Sequence, residues 1–282
     1  MSPLREIDCA VITDTVKRLF IEANCILGDD VLAAISRSLA KETTELGRDV
    51  LEKIIENSAV AKQETAPLCQ DTGLAIVFAE IGQDVHVVGG LFNEAVQKGV
   101  RQAYRDGYLR KSVCDPFTRM NTGDNTPAII HVEIVAGDRI RLVAMPKGGG
   151  SENMSSLSML IPSAGIEEIK NHIIARVKEA GSNPCPPVIV GVGIGGSMEK
   201  AMILARKSLL RPLGQPSPDR KLAGLEEELL EAINRLGIGP QGYGGDTTAL
   251  AVHIEAMPCH IASLPVAVNI QCHVARHKEA VI

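Results

Sequence analysis

The sequence predicts a mixed α/β fold, in which a helical N-terminal part packs on a domain that contains sheet. Up to about residue 63, apolar residues recur at helical spacing, as at Val31 and Ile35. From about residue 67, short apolar runs typical of strands alternate with amphipathic segments. The 282 residues are 45% hydrophobic and 22% charged, which is enough for a large buried core. We therefore expect a helical part at 1–63 and an α/β part at 64–282, forming one compact unit.

The first half of the chain gives clear local patterns. Asp29 and Asp30 are suited to the start of a helix, and a second apolar stripe lies in VLEKII. Gly73 precedes the strand-like run LAIVFAEIG, and FNEAVQKGVRQAYRD is a predicted helix that Gly107 ends. The segment AIIHVEIVAGDRIRLVAMPKG predicts two strands joined at Ala136-Gly137-Asp138.

The second half alternates in the same way. A helix with an apolar side from Ile166 to Val177 is expected to end at Gly181. PPVIVGVGIGG predicts a buried strand, SMEKAMILARKSLL the helix after it, and LAGLEEELLEAINRLG an amphipathic helix. TTALAVHIEAM predicts another strand, and the chain ends in HIASLPVAVNIQCHVARH.

Composition excludes several classes of function. The net charge of −5 has no basic run, and aromatic residues make up 2% with no Trp, so a nucleic-acid binder is not expected. No apolar run reaches the length of a membrane span, and the first twenty residues lack the apolar core of a secretory signal. We expect a cytoplasmic protein with reduced cysteines, whose roles are then packing, ligation or catalysis.

Three of the seven cysteines are predicted to lie in loop–strand junctions, beside polar residues, Gly or Pro. Cys69 occurs in PLCQDTG, Cys185 in NPCPP and Cys272 in IQCH. Because no CxxC pair is present, a zinc ribbon or a ferredoxin-type cluster site is not supported, and spacing alone is weak evidence for a shared metal. The remaining cysteines are interpreted as core or turn residues: Cys9, Cys25, Cys114 and Cys259.

Five sequence blocks together resemble the iron–sulfur domain of class I fumarate hydratases. They are PLCQDTGLAIVF, MPKGGGSENMS, NPCPPVIVGVGIGG, GYGGDTTALAVHIE and PCHIASLPVAVNIQCHVARH. The blocks follow the family order from about residue 67 to 277, and the related L-tartrate dehydratases share them. A single block such as GVGIGG would not be specific, but the combination is.

The resemblance implies a 4Fe–4S cluster held by Cys69, Cys185 and Cys272. Three thiolates leave one iron of a cubane open, and that iron is a Lewis acid for a substrate hydroxyl and carboxylate. The implied activity is reversible hydration of fumarate to L-malate. Dehydration of L-tartrate, another C4 dicarboxylate, is the alternative within the family.

Beside the first cysteine, the resemblance places Gln70 and Asp71 next to the substrate. A carboxylate near an iron-bound hydroxyl is suited to transfer a proton, and the family implies this role for Asp71. Without the resemblance, an Asp before Thr-Gly is better interpreted as a turn residue than as a catalytic one. Arg110, in LRKSVCDP, matches a substrate-binding arginine of the family, and Arg is suited to clamp a carboxylate.

Two further motifs complete the implied site. Gly148, Gly149 and Gly150 precede an expected helix start at Ser151, where exposed N–H groups can bind a carboxylate. Read without the family, the three glycines form a flexible turn. His260, in PCHIASLP, matches an active-site histidine of the family, although a lone His beside an apolar run is commonly structural.

The resemblance also implies a partner. Single-chain members of the family continue into a second, smaller domain after the region of the third cysteine, whereas this sequence ends soon after Cys272. We therefore expect an α subunit that needs a separate β subunit, in a hetero-oligomer with two copies of each. The base that deprotonates carbon is expected to come from the β subunit.

Two functions of other classes compete with this interpretation. Gly191, Gly193 and Gly196 satisfy the G-x-G-x-x-G spacing of a dinucleotide-dependent oxidoreductase. That fingerprint needs a second strand ending in an acid about 20 residues later, but RPLGQPSPDR is Pro-rich. A non-catalytic structural or metal-storage protein is the other alternative, and it predicts no metal or a filled ligand shell.

Overall fold

The structure, a computed structural model, describes residues 4–282 and confirms the mixed α/β class. Helices and strands alternate through most of the chain, as the sequence patterns predict. In chain order the described elements are β1 (Arg5–Asp8), α1 (Cys9–Cys25), α2 (Asp29–Lys41), α3 (Glu45–Glu64), β2 (Leu74–Gly82), β3 (Val85–Val88), α4 (Phe92–Asp106), β4 (Ile129–Val135), β5 (Ile140–Lys147), α5 (Gly149–Glu152), β6 (Ser156–Leu160), α6 (Gly165–Ala180), β7 (Val188–Gly195), α7 (Met198–Ser208), α8 (Arg220–Asn234), a 3₁₀ turn (Pro240–Gly242), β8 (Ala249–Met257), β9 (Leu264–Gln271) and β10 (Lys278–Val281).

The described residues form two compact units, each assembled from separate stretches of the chain. Unit 1 comprises 4–27, 58–149 and 276–282, and unit 2 comprises 28–57 and 150–275. Each unit therefore takes residues from both sides of position 63. The expected division into a helical part at 1–63 and an α/β part at 64–282, packed as one unit, stays a prediction.

Unit 1 contains a four-stranded sheet in the order β10-β5-β2-β4 and a two-stranded parallel pair, β1-β3. The two strands predicted around Ala136-Gly137-Asp138 are present as β4 and β5, but they do not pair with each other. Instead β2 lies between them, parallel to β4 and antiparallel to β5. Helices α1 and α4 pack on this sheet through a common apolar core that includes Phe20 and Tyr104. β1 was not predicted, because four residues are too few to show alternation.

Unit 2 contains a second four-stranded sheet in the order β6-β9-β7-β8. One face carries α6 and α8 over a core that includes Val190 and Ile254. Helix α7 packs on the opposite face through Ala201 and Ala205. Strand β7 is thus covered on both faces, which explains why PPVIVGVGIGG is almost continuously apolar.

The glycines of the dinucleotide-like motif have a packing role. A Cβ built at Gly193 would lie 2.0 Å from the carbonyl oxygen of Ala201, and one at Gly191 would lie 2.2 Å from that of Ala205. Helix α7 can approach β7 this closely only because both positions are Gly. In the described part of the chain, the strand that follows α7 is β8, which begins at Ala249.

No helix among residues 4–282 combines the length and apolar character that crossing a bilayer requires.

Candidate functional site

The predicted site residues are divided between the two units. Across residues 4–282, no three or more His, Cys, Asp or Glu side chains form a group that could hold a metal ion. Convergence of the three cysteines therefore stays a prediction. Unit 1 contains Cys69, Gln70, Asp71, Arg110, Gly148 and Gly149, and unit 2 contains Gly150, Cys185, His260 and Cys272.

In unit 1, the segment 69–73, here called the Asp71 turn, leads directly into β2. The Asp71 carboxylate accepts two main-chain hydrogen bonds, at 3.0 Å from Gly73 N–H and at 2.7 Å from Gly149 N–H. Gly73 has φ +77°, and a Cβ there would lie 2.6 Å from the main chain of Lys147. Glycine is thus required at this position, and the carboxylate has a fixed orientation.

Buried side chains hold the Asp71 turn from its main-chain side. The guanidinium of Arg276 donates to the carbonyl oxygen of Asp71. The Tyr104 hydroxyl lies 2.9 Å from the next two carbonyl oxygens, and the Asn125 amide donates to the carbonyl of Gly73 at 3.2 Å. Burial raises the pKa of Tyr104, so its hydroxyl keeps the proton that it donates. Three consecutive carbonyls therefore have buried donors.

The neighbours of Asp71 are more accessible. Cys69 is half-buried, with its Sγ 3.3 Å from Oε1 of the exposed Gln70. Arg110 is also exposed, but its main chain is tied to the Asp71 turn, since its carbonyl accepts from the Thr72 hydroxyl at 2.8 Å. The side chains of Gln70 and Arg110 are thus on accessible surface beside the turn.

Gly148 and Gly149 lie against the same carboxylate. A Cβ at Gly148 would lie 3.3 Å from Oδ2 of Asp71 and 3.7 Å from Nη2 of Arg276. Helix α5 begins at Gly149, two residues before the predicted start at Ser151. The Gly149 N–H, expected to bind a carboxylate, donates to that of Asp71 in this structure.

In unit 2, Cys185 and Cys272 lie at the same end of the sheet. β7 and β9 are antiparallel neighbours, and Ile189 near the start of β7 lies opposite Gln271 at the end of β9. Cys185, just before β7, and Cys272, just after β9, are therefore at the same end of the sheet. His273 Nδ1 lies 3.0 Å from the Cys185 carbonyl oxygen. The same nitrogen lies 3.1 Å from Nε2 of Gln241, so the His273 ring contacts the Cys185 segment and Gln241 and links the two cysteine segments.

The loop at Cys185 has a defined conformation. Cys185 is exposed and has φ +56°, a left-handed geometry that costs a non-glycine residue about 1 kcal/mol. The next carbonyl, that of Pro186, accepts from the Gln241 main-chain N–H at 2.8 Å and from its side-chain amide at 2.9 Å. Residues whose strained backbone conformation is fixed by surrounding hydrogen bonds cluster at functional sites.

His260 is not brought to these cysteines within unit 2. It lies in the loop between the end of β8 and the start of β9, at the opposite end of the sheet from Cys185 and Cys272. The eight residues of β9 separate the two ends by roughly 25 Å at the usual rise per residue. The exposed His260 ring accepts from Ala262 N–H at 3.1 Å.

The sequence patterns did not indicate which residues hold the Asp71 turn and the cysteine segments in place. Tyr104 lies in the predicted helix FNEAVQKGVRQAYRD, but a helical pattern does not show what a hydroxyl contacts. Arg276 and His273 carry no periodic signal, and their roles depend on pairing between distant strands.

Cys9 and Cys25 are buried in α1, and burial raises the pKa of both thiols, which agrees with their structural interpretation.

Comparison with known proteins gives consistent matches over nearly the whole chain. The family model described as "Fumarate hydratase (Fumerase)" matches residues 13–281. The putative L(+)-tartrate dehydratase subunit alpha of Methanocaldococcus jannaschii is 46% identical over 267 residues, covering 93% of this chain and 94% of that protein. The L(+)-tartrate dehydratase alpha subunits of Escherichia coli and Shigella sonnei are each 33% identical over 265 residues, covering 93% of this chain and 87% of theirs.

Proposed function

This chain belongs to the fumarate hydratase (Fumerase) family, and from that membership we propose that it is the α subunit of an iron–sulfur hydro-lyase that reversibly hydrates fumarate to L-malate. The observation that carries the proposal is the pair of cysteine segments at one end of the β7–β9 sheet, together with the oriented Asp71 carboxylate. The chemistry needs both elements: thiolates to hold a Lewis acid and a carboxylate to move a proton.

The donor set fits a 4Fe–4S cluster. Thiolates are the usual ligands of such clusters, and Cys69, Cys185 and Cys272 each precede or follow a strand of a rigid sheet. None of the three is fully buried. When bound, a cluster with three protein ligands supplies one open iron that acts as a Lewis acid on the hydroxyl of the substrate.

The chain's own residues would bind the substrate and move the proton. In hydration, a carbon of fumarate gains a hydroxyl and its neighbour gains a proton. The Asp71 carboxylate would take the proton from the water that becomes the hydroxyl, and return it in dehydration. Arg110 and the N–H groups of Gly148–Gly150 would bind the two substrate carboxylates, and Gln70 would donate a hydrogen bond beside them. The acid–base group at carbon would come from a β subunit.

L-tartrate is the second candidate substrate, because the relatives compared above are named as L(+)-tartrate dehydratase alpha subunits. Tartrate carries one hydroxyl more than malate, and both are C4 dicarboxylates. The residues of unit 1 that we propose as ligands of the substrate carboxylates would bind malate or tartrate equally well. The β subunit would therefore contribute to the choice between these two substrates.

The relatives are named as alpha subunits, which supports a complex with a β subunit. We further propose a cytoplasmic complex with two copies of each subunit. A second copy also matters for His260. Since its own unit places it at the far end of the sheet from Cys185 and Cys272, His260 would act on their substrate only from another copy of the chain.

The deciding experiment is anaerobic purification of the chain co-expressed with its β subunit. We expect iron and sulfide in the protein, an absorbance band near about 400 nm, and turnover of fumarate, malate or tartrate. Cys69→Ser, Cys185→Ser and Cys272→Ser should each abolish turnover and lower iron content, whereas Cys114→Ser, the matched control, should retain both. Full turnover by an iron-free preparation would refute the proposal.

A further inference from the structure

Arg276 is a buried cation beside the proposed catalytic carboxylate. It is 3% exposed and lies in unit 1, four residues after Cys272 in the sequence. Its Nη2 donates to the carbonyl oxygen of Asp71 and lies, with Oδ2 of Asp71, within 4 Å of the position that a Cβ would take at Gly148. The guanidinium of Arg276 and the carboxylate of Asp71 thus both lie beside Gly148.

The hydrogen bonding of Arg276 is incomplete. Its Nε and Nη1 are inaccessible and have no hydrogen-bond partner among residues 4–282. A buried charge with unpaired donors is costly, and replacing such a group by an apolar side chain of similar volume is often neutral or stabilising. Arg276 is therefore poorly explained by stability alone, and residues that reduce stability are frequently kept for function.

We propose that Arg276 is a positioning residue for Asp71, a role that rests on the proposed function of this site. By holding the Asp71 carbonyl from inside unit 1, Arg276 fixes the direction in which the carboxylate leaves the turn. The carboxylate then meets Gly73 N–H and Gly149 N–H at 3.0 Å and 2.7 Å. Loss of the guanidinium would release the turn, and a small misplacement of a catalytic group is enough to lower a rate by about a hundredfold.

The test compares Arg276→Met with Arg276→Lys and with Arg211→Met in the full chain with its β subunit. Arg211 is the matched control: its side chain is 12% exposed and its Nε also has no hydrogen-bond partner among residues 4–282, but it pairs with Glu226 in unit 2, at 2.7 Å between Nη2 and Oε1. For Arg276→Met we expect kcat to fall by about 10- to 100-fold with KM changed less than about threefold, an unchanged absorbance band, and an equal or higher Tm. Arg276→Lys should recover part of kcat. Arg211→Met should show the opposite pattern, a lower Tm with kcat retained.

A second measurement does not depend on activity. In the chain labelled with ¹⁵N-glycine, the exchange rates of the Gly73 and Gly149 amides report whether the Asp71 carboxylate is in place. Arg276→Met should raise both rates by about tenfold, while Arg211→Met leaves them unchanged. Unchanged exchange together with unchanged kcat in Arg276→Met would overturn the proposal. If the wild-type complex turned over none of the dicarboxylates while exchange still changed, the proposed function would fail and the positioning contact would stand.

Discussion

Substitution of Glu42 by Gln should destabilise unit 2 strongly and in a pH-dependent way. The Glu42 side chain is 3% exposed and lies just after α2, where it faces the segment GYGGDTT. Its carboxylate accepts from Thr44 through the N–H at 3.2 Å and the hydroxyl at 2.8 Å, from Asp246 N–H at 3.0 Å and from Thr247 N–H at 3.2 Å. One carboxylate therefore binds two segments that are some 200 residues apart in the sequence.

The expected loss follows from these contacts. Glu42→Gln removes the charge and places an NH₂ group against N–H donors of Asp246 and Thr247. Hydrogen bonds to a charged group contribute about 1.5–3 kcal/mol each, and one side of the amide still accepts. We therefore expect the free energy of unfolding to fall by about 3 kcal/mol near pH 7, measured by urea unfolding followed by circular dichroism.

The pH dependence has a defined sign. Burial alone would raise the pKa of Glu42, but the hydrogen bonds from Asp246, Thr44 and Thr247 outweigh it, so the pKa lies below its usual value. A lowered pKa stabilises the fold above the unfolded value of about 4.3, and this stabilisation is lost as pH falls through the folded value. The difference between wild type and Glu42→Gln should therefore shrink below about pH 4.

The matched control is Glu45→Gln, an exposed Glu three residues later, which should change stability by less than about 0.5 kcal/mol. A loss below about 1 kcal/mol for Glu42→Gln near pH 7 would mean that these hydrogen bonds contribute little. A loss that stayed constant from neutral to acidic pH would mean that the charge of Glu42 is not what matters.

Three further predictions concern other parts of the chain. Gly193→Ala should lower the free energy of unfolding by about 2 kcal/mol or more, measured by urea unfolding, because the new Cβ would lie 2.0 Å from the Ala201 carbonyl oxygen; an unchanged stability would contradict the packing role of this glycine. Tyr104→Phe should cost about 1–2 kcal/mol in the same assay and reduce kcat, since it removes a buried donor to the Asp71 turn; unaltered kcat at full folding would separate Tyr104 from catalysis. Co-expression of Cys272→Ser and His260→Ala chains, each inactive alone, should restore about a quarter of wild-type turnover if each site takes its cluster from one copy and its His from another; no restored turnover would argue against that sharing.

The sequence predicted the local elements well but not how they pair. LAIVFAEIG was expected as a strand and is β2, and the helix expected to end at Gly181 is α6. Periodicity reports which face of an element is buried, so these elements could be read directly. That β2 lies between β4 and β5, while β10 joins the edge of the same sheet, depends on contacts between residues far apart in the chain. A periodic pattern contains no information of that kind.

The candidate site shows the same division. The resemblance supplied Cys69, Cys185 and Cys272, and pairing of β7 with β9 then placed two of them at one sheet end. Neither motif nor spacing could indicate that Arg276 is buried, because a charged residue near the end of a chain is ordinarily solvated. His260 lies in the same family block as Cys272, yet the eight residues of β9 place them at opposite ends of the sheet.

The two carboxylate interactions assigned to the glycine segment compete for one donor. Gly149 N–H, proposed to bind a substrate carboxylate, donates at 2.7 Å to Oδ2 of Asp71. A substrate carboxylate that took this donor would leave Oδ2 with one hydrogen bond fewer, while Oδ1 kept its bond to Gly73 N–H and Arg276 kept the main chain in place. The ¹⁵N signal of Gly149 should therefore shift when a C4 dicarboxylate is titrated into the complex, because its hydrogen-bond acceptor changes, while that of Gly73 stays in place.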